Sequence, residues 1–441
     1  MESRYSLSMP VATWPESVYH LGITRLEKAR ELVGTADLKA RQRKSEVYYQ
    51  GIESRQRLPQ GMHDRCEEFV YAAGSWPSEK DITGLEKHLP LHFKIIRLRS
   101  HRVAKGEVWD LSVKSKKYWP ELDHLEELYV FLLIDHLILE ENAKVIIQGN
   151  VLSIECGVLE RATNKPDGTP VSADNFDIGI LPTPFTVDRN TSQNTGTPGK
   201  VGLSGAHGAD GKIVQVEGSL LGPYLPEEFS QIVTDGQDGG HGADGTHGVC
   251  GRNGGMCRLA DIRINRLIGF EHNPLKVFSQ AGDGYTGGAG GDGGNGGNGG
   301  NGSAGAEAIN GRIPHGKSSK GGNGGNGGNG SKGGNGGMSS NVFLQLFPED
   351  CISIQTLSLP SKGGGGGQEG KGGLAGIGGH SFVHEQQQIY DNSDNIYNGL
   401  EGNGGVKGFP GKGRLGANIF VIPMDRASVK VMSSWCVVDK Q

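Results

Sequence analysis

Apolar and polar positions change their rhythm twice along this chain. In residues 15–58, Leu21, Leu26 and Leu32 lie among Lys, Arg and Glu, and no proline follows Pro15 until Pro59. That spacing predicts helix. A second helix is expected from His63 to Ala73, before Trp76-Pro77 breaks the chain. SEKDITGLEKHL (78–89) reads as a short helix capped by Ser78, with Asp81 in its first turn. From residue 91 the period becomes two. FKIIRLRS, EVWDLSVKS, ELYVFLLIDHLIL, AKVIIQGNVLSIEC and GVLER predict strands with short breaks between them. Such strands suit a β-solenoid better than a small sandwich. Residues 164–195 read as a loop-rich connection.

After residue 195 the period becomes three. Glycine recurs at every third position in six blocks, 196–211, 236–254, 284–305, 321–336, 364–379 and 399–411. Between them lie KIVQVEG, LADIRINRLIGF, LKVFSQ, NVFLQLF, CISIQTLSL and NIFVIPM, and SVKVMSSWCVV reads as a closing strand. A three-residue period is that of the polyproline-II helix, which has no internal hydrogen bonds. Its peptide groups must find partners on neighbouring chains. Close neighbours require glycine wherever a side chain would intervene. The third and fourth blocks keep glycine in two of three positions and asparagine in the third, which predicts two covered sides and an outward row of asparagines. The first and second blocks keep one glycine position and belong at edges. Collagen shares the period, but these blocks are short, poor in proline and interrupted by strand sequence. A flexible linker has no reason to keep phase.

The expected fold class is therefore mainly β / polyglycine-II. It comprises a helical N-terminal domain (1–90), a β-rich, solenoid-like domain (91–195), and a bundle of about six glycine-rich helices with interspersed strands (196–441). Glycine supplies 75 of 441 residues, against a usual level near ~7%, so the second half needs another source of cohesion than a large apolar core.

The net charge of −5 does not point to nucleic acid. Basic runs such as Lys114, Lys116 and Lys117 read as solvated faces. No apolar run is long enough for a transmembrane helix. The first residues lack a signal-peptide pattern, so an extracellular role would need lysis or dedicated export. The six cysteines are scattered. Only Cys250 and Cys257 are close in sequence, and they could pair only if the chain turned back near Asn253–Gly255.

Candidate chemistry is sparse. Asp238, His241, Asp244, His247, Cys250 and Asn253 form one edge of the second block, and His207 and Asp210 occupy the same class in the first. A metal or pH-sensitive seam would need His207 beside His241 or Asp244, with His247 near. The plainer expectation is a polar, solvated edge. Asn295, Asn298, Asn323 and Asn326, with Asn301 and Asn329, form the most regular polar surface and could bind water or sugar hydroxyls. HSFVHE (380–385) is not the HExxH zinc pattern. No catalytic residues and no cofactor are expected.

The tripeptide pattern over residues 196–416 resembles the glycine-rich receptor-binding domain of T-even-type phage tail-fibre adhesins, and is similar to snow-flea antifreeze proteins and to glycine-rich repeats of mycobacterial surface proteins. The resemblance implies polyglycine-II helices whose intervening segments touch a host. The Obg family of GTPases carries similar helices, and GRIPHGKS (311–318) and NKPD (164–167) match nucleotide-binding patterns. Their order is reversed, and SKGGNGGNGG cannot form the helix that a phosphate loop requires. The expected function is non-enzymatic and adhesin-like, with inter-helix loops presented to a cell-surface receptor or glycan. Partner binding or self-association is expected through the N-terminal region. The binding segments would be 212–235, 306–319 and 380–398, with Tyr224, Tyr285, Tyr390 and Tyr397 as contacts. The alternatives are a toxin that engages target membranes or receptors, a polymer-acting enzyme on the β-rich domain, and an antifreeze role.

Overall fold

The computed structural model describes residues 17–32, 90–113, 128–163, 168–183, 194–213, 215–225, 234–381 and 397–424, with a few isolated positions besides. The described chain is mainly β. Its strands are β1 (Ser17–Ile23), β2 (Leu91–Val103), β3 (Val108–Asp110), β4 (Leu128–Leu139), β5 (Lys144–Gln148), β6 (Val151–Arg161), β7 (Ile178–Leu181), β8 (Glu217–Ser219), β9 (Gly222–Tyr224), β10 (Ala260–Ile264), β11 (Leu267–Ile268), β12 (Leu275–Gln280), β13 (Ala306–Ala308), β14 (Gly311–Ile313), β15 (Val342–Leu346), β16 (Ile354–Leu359) and β17 (Ile419–Pro423). One named α-helix, α1 (Leu26–Leu32), and one short 3-10 helix, Cys351–Ser353, lie among the described residues.

Two sheets organise these strands. The first runs β1-β2-β4-β6-β10-β15-β17, with β11 also on β6; the second runs β16-β12-β7-β5-β3. Apart from the antiparallel β1–β2 pair, every pairing within them is parallel. From β2 onward the strands of the two sheets alternate between them, except that β10 and β11 both lie in the first, and a parallel sheet covered on both faces favours near-continuous apolar runs. LYVFLLIDHLIL in β4 is such a run. Val130, Leu132 and Ile134 face Val145, Ile147, Ile178, Ile180 and Val277 in the core between the sheets. Tyr129 packs on the outer face with Leu91, Phe93 and Ala29 of α1. There Phe93 stacks on Tyr129 at 4.8 Å and on Phe131 at 5.7 Å.

The N-terminal expectation needs correction. Ser17–Ile23 lies inside the predicted helix but forms β1 against β2. An exposed sheet edge is a strong template for pairing, and Leu21 and Ile23 gain burial beside Phe93. Among the described residues of this stretch, α1, Lys39 and Gln42 are helical. The helices expected at 63–73 and 78–89, and the closing strand after residue 426, lie outside the described residues. Strands from both sides of residue 195 share both sheets, so the sequence boundary there does not divide the sheets.

The glycine blocks leave and re-enter these sheets in order. Tracts one, three and five follow β7, β12 and β16, which are neighbours in the second sheet. Tracts two, four and six lead into β10, β15 and β17, which are neighbours in the first. Among its described residues the KIVQVEG segment is strand only at Glu217 and Gly218, which open the β8–β9 hairpin at the far end of tracts one and two. The β13–β14 hairpin joins tracts three and four. Cys250 and Cys257 do not pair and are free, as are Cys156 and Cys351.

Candidate recognition surface

Backbone groups hold the tracts together. Gly196, Gly199, Gly202, Gly205, Gly208 and Gly211 donate to the carbonyls of Thr286, Ala289, Asp292, Asn295, Asn298 and Asn301, each at 2.8 Å. Residue numbers rise together here, so tracts one and three run parallel. Tract three bonds in the same sense to tract five, tract two to tract four, and tract four to tract six. Between the two sets the sense reverses. Gly294 donates to Ala243, Gly297 to Gly240 and Gly325 to Gly294, each at 2.8 Å. Tracts one, three and five thus form one layer, and tracts two, four and six a second antiparallel to it.

Glycine is required here for space. No tract glycine adopts the left-handed backbone region; Gly106, Gly149, Gly222 and Gly269 do, all outside the tracts. A methyl group on Gly297 would lie 1.9 Å from the Ala206 carbonyl oxygen, and one on Gly325 2.1 Å from that of Ala243. The sequence expectation of two covered sides falls short: tract three bonds to tracts one, two, four and five.

The outward rows carry a second hydrogen-bond system that sequence reasoning missed. Oδ1 of Asn295 and Asn298 accepts from the backbone N–H of Leu374 and Ile377 at 2.9 and 3.0 Å. Oδ1 of Asn323, Asn326 and Asn329 accepts from Leu400, Asn403 and Val406, each at 2.9 Å. Each asparagine therefore occupies the outward N–H of the next tract in its layer. The shared signal was visible in tracts one to four, where Asp, Asn or His recurs at one position, and all three can accept at the same reach.

The same system accounts for the histidine and aspartate stripe. Nδ1 of His241 and His247 accepts from Asn323 and Asn329 at 2.9 and 2.8 Å, and Oδ1 of Asp244 from Asn326 at 2.6 Å. His207 Nδ1 accepts from Asn298 at 2.8 Å on the other layer. Acceptance at Nδ1 places the ring proton on Nε2. His207 and His241 belong to different layers, so the in-register seam anticipated from the repeated HGADG string does not form. Among the described residues, no group of three or more His, Cys, Asp or Glu is placed to hold a metal ion.

The tyrosines separate. Tyr224, on β9, and Tyr397, at the start of tract six, lie at the end of the tracts away from the sheets. Tyr285 stands at the opposite end, where its N–H donates to Arg252 O at 2.9 Å, and it is not a contact of the far end. Tyr390 lies outside the described residues. At the far end the two hairpins meet. Leu225 donates to Asn310 Oδ1 at 2.8 Å, Asn310 Nδ2 returns a bond to Leu225 O at 2.6 Å, and Ile309 donates to Pro223 O at 3.0 Å. Beyond them Leu220, Leu221, Ile213 and Ile309 project into solvent. GRIPHGKS continues from β14 into tract four with no helix, as expected for a chance match; NKPD lies outside the described residues.

The buried polar groups belong to the scaffold. Arg161, at the end of β6, pairs with Asp177, just before β7, at 2.7 Å, and Asp177 also accepts from Lys276 N at 2.8 Å. Burial pushes the thiols of Cys156 and Cys257 up to about 12, which keeps them protonated and unreactive. No helix among the described residues is long and apolar enough to cross a membrane. Comparison with protein-family models, curated proteins and solved structures found no match to this chain.

Proposed function

We propose that this protein is a non-enzymatic recognition protein of adhesin type. In this reading stacked β-coils form the base, and six polyglycine-II helices form a rigid two-layer slab that carries its hairpins to a cell-surface receptor or glycan. The three-residue recurrence of backbone bonds supports the helix assignment, because a chain with three residues per turn returns the same peptide group to the same neighbour at each turn. The observation that carries the function is the meeting of β8–β9 and β13–β14 at the far end, with exposed leucines at the turn. Turns ordinarily take Gly, Asn, Asp, Ser or Pro, so Leu220-Leu221 at such a position suits a contact.

The test is binding of the labelled full chain to a glycan array and to intact cells, beside a Leu220→Ser/Leu221→Ser variant. The reading expects wild-type binding and a loss of at least tenfold in the variant. Equal binding by the two, or no binding by the wild type, refutes it.

A further inference from the structure

The asparagine bonds have a chemical consequence. An asparagine whose Oδ1 is held by a neighbouring backbone N–H keeps its Nδ2 group free to donate. Asn323, Asn326 and Asn329 are all held in this way along tract four. Successive amides are separated by about 9.3 Å along the tract, from ~3.1 Å per residue in such a helix. Their orientation is fixed before any ligand arrives, so little rotamer entropy remains to be lost on binding.

A mainly apolar row, interrupted by Asn403, lies beside this donor row. Leu400, Val406 and Phe409 of tract six are 73%, 64% and 76% exposed. Two of the three are tied to the donors directly, since Leu400 N–H is the group held by Asn323 and Val406 N–H the group held by Asn329. Tracts four and six run parallel, with Gly324, Gly330 and Gly333 donating to Leu400, Val406 and Phe409 carbonyls at 2.8, 2.9 and 2.9 Å. The two rows therefore stay alongside over the length of the slab. One row offers neutral donors; the other offers aliphatic and aromatic surface.

We propose that this face binds an extended, neutral polysaccharide lying along the tracts. A sugar chain presents the complement. Its hydroxyl and ring oxygens accept hydrogen bonds, and the C–H faces of its rings pack on apolar and aromatic surface. Its linear repeat suits a linear array. The uncharged donors match a neutral chain better than an anionic one. This inference rests on the recognition reading and adds to the hairpin contact a second contact, on the slab face.

The test uses the full chain in 0.15 M salt and measures depletion by insoluble cellulose, chitin and mannan. The deciding variant is Asn323→Asp/Asn326→Asp/Asn329→Asp. Aspartate keeps the acceptor that holds the neighbouring tract, as Asp244 does for Asn326, and removes the donors. Wild type is expected to be retained by at least one polymer. The triple variant should lose binding at least tenfold at an unchanged melting temperature. A second variant, Leu400→Ser/Val406→Ser/Phe409→Ser, leaves the asparagines in place and should lose binding similarly. Leu220→Ser/Leu221→Ser should bind these polymers as wild type while still losing binding to cells, so that failure of this inference and failure of the hairpin reading are told apart. Failure of the wild type to bind any of the three polymers overturns the proposal. So does equal retention of wild type and both face variants, or loss confined to the hairpin variant.

Discussion

Replacing Gly297 by alanine tests the slab most directly. The added methyl would lie 1.9 Å from Ala206 O and 2.5 Å from its carbonyl carbon. Ordinary contact to a carbon lies near ~3.5 Å, so tracts one and three must separate by more than an ångström. Such a separation breaks the bonds from Gly205 to Asn295 and from Gly208 to Asn298, both 2.8 Å. Two lost hydrogen bonds cost roughly 1–3 kcal/mol, and forcing a methyl into a packed site costs about 1–3 kcal/mol more. The expected loss is therefore about 2–6 kcal/mol. The control is Gly404→Ala, where the nearest neighbour of the new methyl is Gly370 O at 3.8 Å. At such a site alanine restricts the unfolded chain and is neutral or stabilising by about 0.4–1 kcal/mol. Guanidinium unfolding followed by circular dichroism compares the two variants with wild type. If Gly297→Ala destabilises no more than Gly404→Ala, close backbone packing is not what holds the tracts together.

Further outcomes are expected elsewhere. Arg161 and Asp177 side chains are only 6% and 9% exposed, so Asp177→Ala should cost about 3–5 kcal/mol by leaving a buried charge unpaired; a double change of both to apolar residues should cost less in the same unfolding assay. His241→Asn/His247→Asn keeps an acceptor for Asn323 and Asn329 and should preserve the melting temperature, whereas His241→Leu/His247→Leu should lose about 0.5–1.5 kcal/mol per missing bond. Iodoacetamide on the native protein should label exposed Cys250 and spare Cys156 and Cys257, as read by peptide mass spectrometry. Because folding raises both thiols from an ordinary 9.0 to about 12, the unfolded chain releases protons first as pH rises. Stability should fall between pH 9 and 12 by about 1.4 kcal/mol per pH unit for each thiol, and Cys257→Ala should reduce that slope by about one thiol's share.

The sequence by itself determined where extended structure lies from residue 91 to 161 and which residues could approach another backbone. Both follow from local rules. Strand-forming apolar runs such as those in β2 and β4 have surface to bury, and a glycine every third residue lets chains lie close on that side. The tertiary structure decided what those rules leave open. It made Ser17–Ile23 a strand, because a free sheet edge outweighed a weak helical pattern. It set the order and sense of the tracts, which follow from the sheets they leave and rejoin. It also gave the asparagines, histidines and aspartates their common task. One strand of sequence shows them as a polar row; only a neighbour about 80 residues away in sequence, as Asn323 is from His241 and Leu400 from Asn323, supplies the N–H that each side chain accepts. Hydrogen bonds of that range depend on which tract lies beside which, and no local pattern encodes that.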